Sequence, residues 1–93
     1  MEEREYLISL YDYYGKLLTD KQQEYFEDYY FENLTMDEIS ENDNVSKNAI
    51  SKQLISIKDK LYYYEDILHL NNNKIKISKI LNDNELEKII KYI

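Results

Sequence analysis

Apolar residues recur at helical spacing along nearly the whole chain. Leu7, Leu10, Tyr11 and Tyr14 stand at i, i+3, i+4 and i+7, and Glu2, Glu3 and Glu5 sit near the positive N-terminal end of the helix this predicts. Gly15 is its expected stop. A second helix is expected after Thr19, which has the spacing of a capping box with Gln22, and it should bury Tyr25, Phe26, Tyr29 and Tyr30. With no Pro and one Gly, the pattern predicts an all-α fold, and no internal repeat is visible.

The richest local signals lie between Leu34 and Ile57. Thr35 and Glu38 form a second box-like pair, and Leu34 can staple onto Ile39, so a short helix should begin there. Asn44 then stands where that helix must turn sharply, and Asn is the non-glycine residue that best tolerates a left-handed backbone. Ser46 caps the next helix, with Val45 placed to staple onto Ile50. Two helices joined this tightly make a helix-turn-helix, expected over about residues 35–58, whose second helix can lie in a groove of nucleic acid. The same helix pair also serves as plain packing.

After Ser46 the residues Ile50, Leu54, Ile57, Leu61, Tyr64 and Leu68 repeat at alternating spacings of four and three, a heptad seam on one long helix. From Lys47 to Leu68 such a helix runs about 33 Å, longer than the short helices before it can cover. The later seam, Leu61, Tyr64 and Leu68, is therefore expected to meet a partner. One candidate is a C-terminal helical segment at about residues 72–93, with apolar stripes at Ile77, Ile80 and Leu81 and at Leu86, Ile89 and Ile90. The other is a second copy of the chain, which would make a homodimer.

Length and composition narrow the classes. Ninety-three residues form a single domain with one modest core. The absence of Cys excludes disulfides, thiolate metal sites and a cysteine nucleophile. The start Met-Glu-Glu-Arg-Glu is unlike a secretion signal and no apolar run is long enough to span a membrane, so a cytoplasmic protein without membrane insertion is expected. The net charge of −7 disfavours a nucleic-acid binder, but its distribution is uneven. Residues 1–45 hold 3 basic and 13 acidic side chains, and residues 46–93 hold 9 and 6. An acidic front and a mildly basic back suggest two different surfaces, although ordinary solvated helix faces account for them equally well. The 11 Tyr, the many Asn and Ile and the scarcity of Arg fit an A·T-rich genome, so the rings are expected mostly in packing.

Candidate chemistry is confined to surfaces. Lys47, Asn48, Ser51, Lys52 and Ser56 lie off the Ala49, Ile50, Leu54, Ile57 stripe and form the expected nucleic-acid face. Lys offers point charges to phosphate and Asn can pair with a base edge, but the only Arg is Arg4, so bidentate guanine reading is missing. Asp37, Glu38 and Glu41 could share a helix face as a divalent-ion site requires; acids beside a positive helix end are the simpler explanation. His69 has no second His or Cys to help hold zinc, and no glycine-rich loop exists to hold a nucleotide. No enzyme, cofactor or metal is expected.

The run Tyr11-Asp12-Tyr13-Tyr14-Gly15-Lys16-Leu17-Leu18-Thr19-Asp20-Lys21-Gln22, then Tyr25, Tyr29-Tyr30 and the helix-turn-helix, resembles the YlxM family over about Leu7 to Leu70. These are small bacterial helix-turn-helix proteins associated with the signal recognition particle pathway, and the same core is similar to region four of sigma factors. The resemblance implies an all-helical, often dimeric accessory protein acting on the particle's GTPase, its receptor or its RNA. A dimeric DNA-binding regulator is the competing expectation. Lys47-Asn48 stands where the family usually has Arg-Gln, and Asp43-Asn44 replaces a turn that commonly ends in Gly.

Overall fold

The computed structural model describes residues 2–80, all helix and short connections. Five α-helices follow one another: α1 (Glu3–Tyr14), α2 (Asp20–Phe26), α3 (Met36–Asp43), α4 (Lys47–Leu68) and α5 (Leu70–Ile80). Helices α1, α2 and α3 all pack on α4, which serves as the spine. Their common core contains Leu7, Leu10 and Tyr14 from α1, Tyr25 and Phe26 from α2, Ile39 from α3, and Ile50, Ile57 and Leu61 from α4.

Helix α1 ends at Tyr14, just before Gly15 as expected, but not through a left-handed glycine. The Gly15 φ of −54° is right-handed, and the chain simply tightens into a 3-10 turn over Gly15–Leu17. A Cβ there would lie 2.9 Å from a ring carbon of Tyr11. That ring cannot easily retreat, since it stacks on Phe26 at 4.1 Å and 7° and its hydroxyl donates to Glu27 at 2.8 Å. Gly15→Ala should therefore destabilise the domain by about 1 to 3 kcal/mol, as overpacking does. Urea unfolding would show it; a stabilised variant would mean that the Tyr11 ring moves freely.

Thr19 and Gln22 form the full capping box at the start of α2. Beyond Phe26 the helix widens into a π-helical turn, Glu27–Phe31. The extra residue lets Tyr30 and Phe31 both reach Phe26, with ring centroids 4.5 and 5.8 Å away. Tyr29 and Tyr30 end half-buried against the core. Of the described tyrosines only Tyr63 is classed as exposed, as a packing role for these rings predicts.

The helix-turn-helix forms as its caps dictate. Thr35 and Glu38 complete a second capping box, and Leu34 packs on the core. Asn44 adopts φ 55°, ψ 42°, and the amides of Asn44 and Val45 return to the carbonyls of Glu41 and Ser40. Ser46 accepts from the Ala49 amide at 3.0 Å to start α4. Val45 stays exposed, whereas Ile50 is fully buried in the common core.

The expected partner seam needs correction. Leu61 is 0% exposed and belongs to this chain's own core, and Tyr64 packs partly against it; only Leu68, at 47%, stands open. The reason is that α1, α2 and α3 all pack on α4 and share one core with its heptad positions, with Tyr14 of α1 reaching Tyr64 at 6.0 Å. Any self-association through this seam is left with the end of α4, where Ile67 and Leu68 are exposed.

Helix α4 ends at His69, which takes a left-handed φ of 56°, and α5 begins at Leu70, two residues before the expected C-terminal segment. Glu65, 8% exposed, holds this junction. Its carboxylate accepts from the Tyr14 hydroxyl at 2.6 Å and from the amides of Asn71 and Asn72 at 3.1 and 3.0 Å. Tyr14 in turn accepts from the Leu70 amide at 3.1 Å. Three amides at the start of α5 thus have acceptors supplied by α1 and α4. The expected stripes at Leu81, Leu86, Ile89 and Ile90 lie outside the described residues, as does the side chain of Ile80.

Candidate nucleic-acid and partner interface

The first turns of α4 leave the domain with their polar side outward. Lys47, Asn48 and Lys52 are exposed, Ser51 and Ser56 half-buried, and the opposite side sends Ile50 and Ile57 into the core. Of the five side chains expected to face nucleic acid, Lys47, Asn48 and Lys52 stand open on this helix, and Ser51 and Ser56 lie half-covered beside them. The start of α4 is positioned by the Asn44 turn and by the pairing of Lys21 with Asp43 at 2.7 Å, which ties α2 to the end of α3. Hydrogen bonding to Lys21, then to Tyr25, holds the Asp43 carboxyl below its usual range.

The electrostatics are less favourable to phosphate than the placement. Lys47 lies 3.7 Å from Asp37, and both are well exposed, so the pair is weak yet puts a carboxylate beside the cation. Lys52 has no ion pair among the described residues. Arg4, the only arginine, lines a cleft with Asp37 and Lys47 but is already engaged: its guanidinium donates to the Tyr30 carbonyl and to Asn33 Oδ1, and it lies over the Tyr30 ring at 5.5 Å. It latches α1 onto the turn before α3.

Asp20, Glu24, Glu27, Asp28 and Glu32 line one groove along α2 with no basic side chain among its walls. Burial, followed by repulsion from Glu24, Asp43, Glu32 and Glu27, pushes the Asp28 carboxyl up. This side of the domain repels phosphate and attracts cations. Asp37, Glu38 and Glu41 are exposed around α3, and among the described residues no three acidic or histidine side chains are placed to hold a metal ion. His69 sits exposed at a helix end, and no described helix is long and apolar enough to cross a membrane.

Two features escaped sequence reasoning. The Glu65 clasp joins residues 51 positions apart, and no local capping rule signals it. The outward side of α4 also carries exposed Ile55 and Tyr63, which break the polar face that the first turns suggest.

Residues 1–92 match the family model described as "Putative helix-turn-helix protein, YlxM / p13 like". A UPF0122 protein of Ureaplasma urealyticum is 45% identical over 94 residues, covering 98% of this chain and 95% of its own length. A UPF0122 protein of Caldanaerobacter subterraneus is 43% identical over 65 residues, with 70% of this chain and 56% of its own covered. One from Lactococcus lactis is 32% identical over 83 residues, with 89% and 75% covered.

Proposed function

Because the chain belongs to this YlxM/p13-like helix-turn-helix family, we propose that it is a non-enzymatic, cytoplasmic accessory protein of the signal recognition particle pathway. It binds the particle's GTPase, its receptor or its RNA. The observation that favours this over a reader of bare DNA is the charge around the helix-turn-helix. Asp37 stands against Lys47, the α2 groove is lined by carboxylates, and the one arginine, which lines a cleft with Lys47, is already engaged by the Tyr30 carbonyl and Asn33. A protein or ribonucleoprotein surface can meet such mixed charge, whereas duplex phosphates meet mainly repulsion.

DNA reading is supported by one observation, the uncovered side of α4 with Asn48 and Lys52. Affinity capture of the tagged protein from its own host's lysate, with and without nuclease, separates the two. Recovery of the particle's GTPase or receptor after nuclease is the expected result, and Lys47→Glu with Lys52→Glu should leave the amount captured unchanged. If capture is lost with nuclease, and DNA binding at low salt disappears in the double variant, the helix-turn-helix is a DNA reader and the adaptor reading fails. Binding of that kind would also weaken steeply with salt.

A further inference from the structure

The outward side of α4 changes character in its second half. Tyr63 is 62% exposed, and Asp59 and Asp66 stand four residues before and three after it on the same helix face. Neither aspartate has an ion-pair partner among the described residues. These side chains open onto a cleft of about 580 Å³ that also includes Tyr6, Tyr62 and His69 and has no Lys or Arg among its walls. Tyr6 and Tyr62 stack there at 5.8 Å.

This chain already sets cations on tyrosine faces, in one case on Tyr62 at the cleft itself. Arg4 lies over Tyr30, Lys21 over Tyr25, Lys58 over Tyr62 and Lys74 over Tyr13, at 5.3 to 5.8 Å. The ring of Tyr63 has the same negative π-face, and the two carboxylates beside it add charge of the same sign. Lys52 and Lys60 line the groove on the other side of Tyr63 and Asp59, but within the cleft a phosphate or a carboxylate meets no Lys or Arg. A guanidinium or ammonium gains both contacts, and its aliphatic stem can lie along the exposed edge of the rings.

We propose that this face is a docking surface for a basic side chain, Arg or Lys, presented by a protein partner, with the cation over Tyr63 between Asp59 and Asp66. The proposal deepens the adaptor reading, from which it takes the partner's being a protein. The carboxylate groove on α2 attracts cations too, but no aromatic ring lines it. Nothing there orients a cation as the Tyr63 face does.

The test is an NMR titration of the full chain with a tetra-arginine peptide, and a tetra-glutamate peptide as control, at about pH 7.5. Shifts should centre on Tyr6 and on residues 59–72. Asp59→Asn combined with Asp66→Asn should raise the Kd about tenfold. Tyr63→Phe, which keeps the π-face, should bind as the parent does, and Tyr63→Ala should weaken binding. All three positions are exposed, so unchanged circular dichroism is expected to accompany these effects. Shifts centred on residues 20–32, or an unchanged Kd in the double variant, would overturn the proposal. Lysate capture keeps the two readings apart. Undiminished capture by the double variant removes the docking surface and leaves the adaptor standing. A localised titration with no particle captured by the parent chain removes the adaptor and leaves the surface.

Discussion

Leu61→Lys is expected to abolish the cooperative thermal transition of this domain. Leu61 is 0% exposed and shares the core with Leu7, Leu10 and Tyr14. A lysine there must bury an ammonium or give up its proton, at a cost of several kcal/mol. A domain of this size holds only about 5 to 10 kcal/mol in all. The milder Leu61→Ala should retain a fold weakened by about 2 to 5 kcal/mol. Circular dichroism melts of the two variants check the pair. A well-folded lysine variant, monomeric where the parent associates, would show instead that Leu61 faces a partner and that α1 does not cover it.

Glu65→Ala should be the most damaging polar substitution. It orphans the Tyr14 hydroxyl and the amides of Asn71 and Asn72 together, and hydrogen bonds to a buried charge put the loss at about 2 to 4 kcal/mol. Hydrogen exchange should quicken at Asn71 and Asn72 while the α3 to α4 turn keeps its protection. Glu65→Gln, which retains one oxygen acceptor, should lose less. If Glu65→Ala unfolds in urea at the parent's midpoint, the clasp carries no stability.

The same clasp has a pH signature. Burial first, and the bond to Glu65 next, push the Tyr14 phenol up from 10.0 to about 12. A group whose pKa is raised on folding contributes fully below its unfolded value and loses that contribution as pH rises through the folded one. Stability from Tyr14 is therefore complete below pH 10.0 and drains away towards about pH 12. Tyr14→Phe should make the fall over that range shallower, the rest coming from groups such as Tyr11, which burial also pushes up.

What could be read from the sequence was local. The caps at Thr19, Thr35 and Ser46 and the left-handed Asn44 all appear where short-range rules place them, because each is decided by residues within one turn. The extent of α4 follows from the heptad period for the same reason. What packs on that period is a different question. The pattern at Ile50, Ile57 and Leu61 shows that a face is covered, and only the packing of α1, α2 and α3 shows by what. Gly15 marks the end of α1 as its position suggested, while the reason for a glycine there, the close approach of the Tyr11 ring, could be seen only in the fold. The polar face of Lys47, Asn48 and Lys52 was legible from period alone, but the capture of Arg4 by Asn33, 29 positions away, was not.

The Glu65 clasp also makes distant parts of the molecule answer to one another. Asn72 lines the Tyr63 cleft and donates its amide to Glu65, while Tyr6 and Tyr14 belong to the same helix, α1. A ligand that draws α1 towards the end of α4 tightens the cap on α5, and one that wedges them apart loosens it. Linkage requires the reverse with equal strength: whatever seizes α5 changes the affinity of the cleft by the same factor. Three helices meet on this one carboxylate, so filling the cleft is expected to change the exchange protection of the α5 amides beside it.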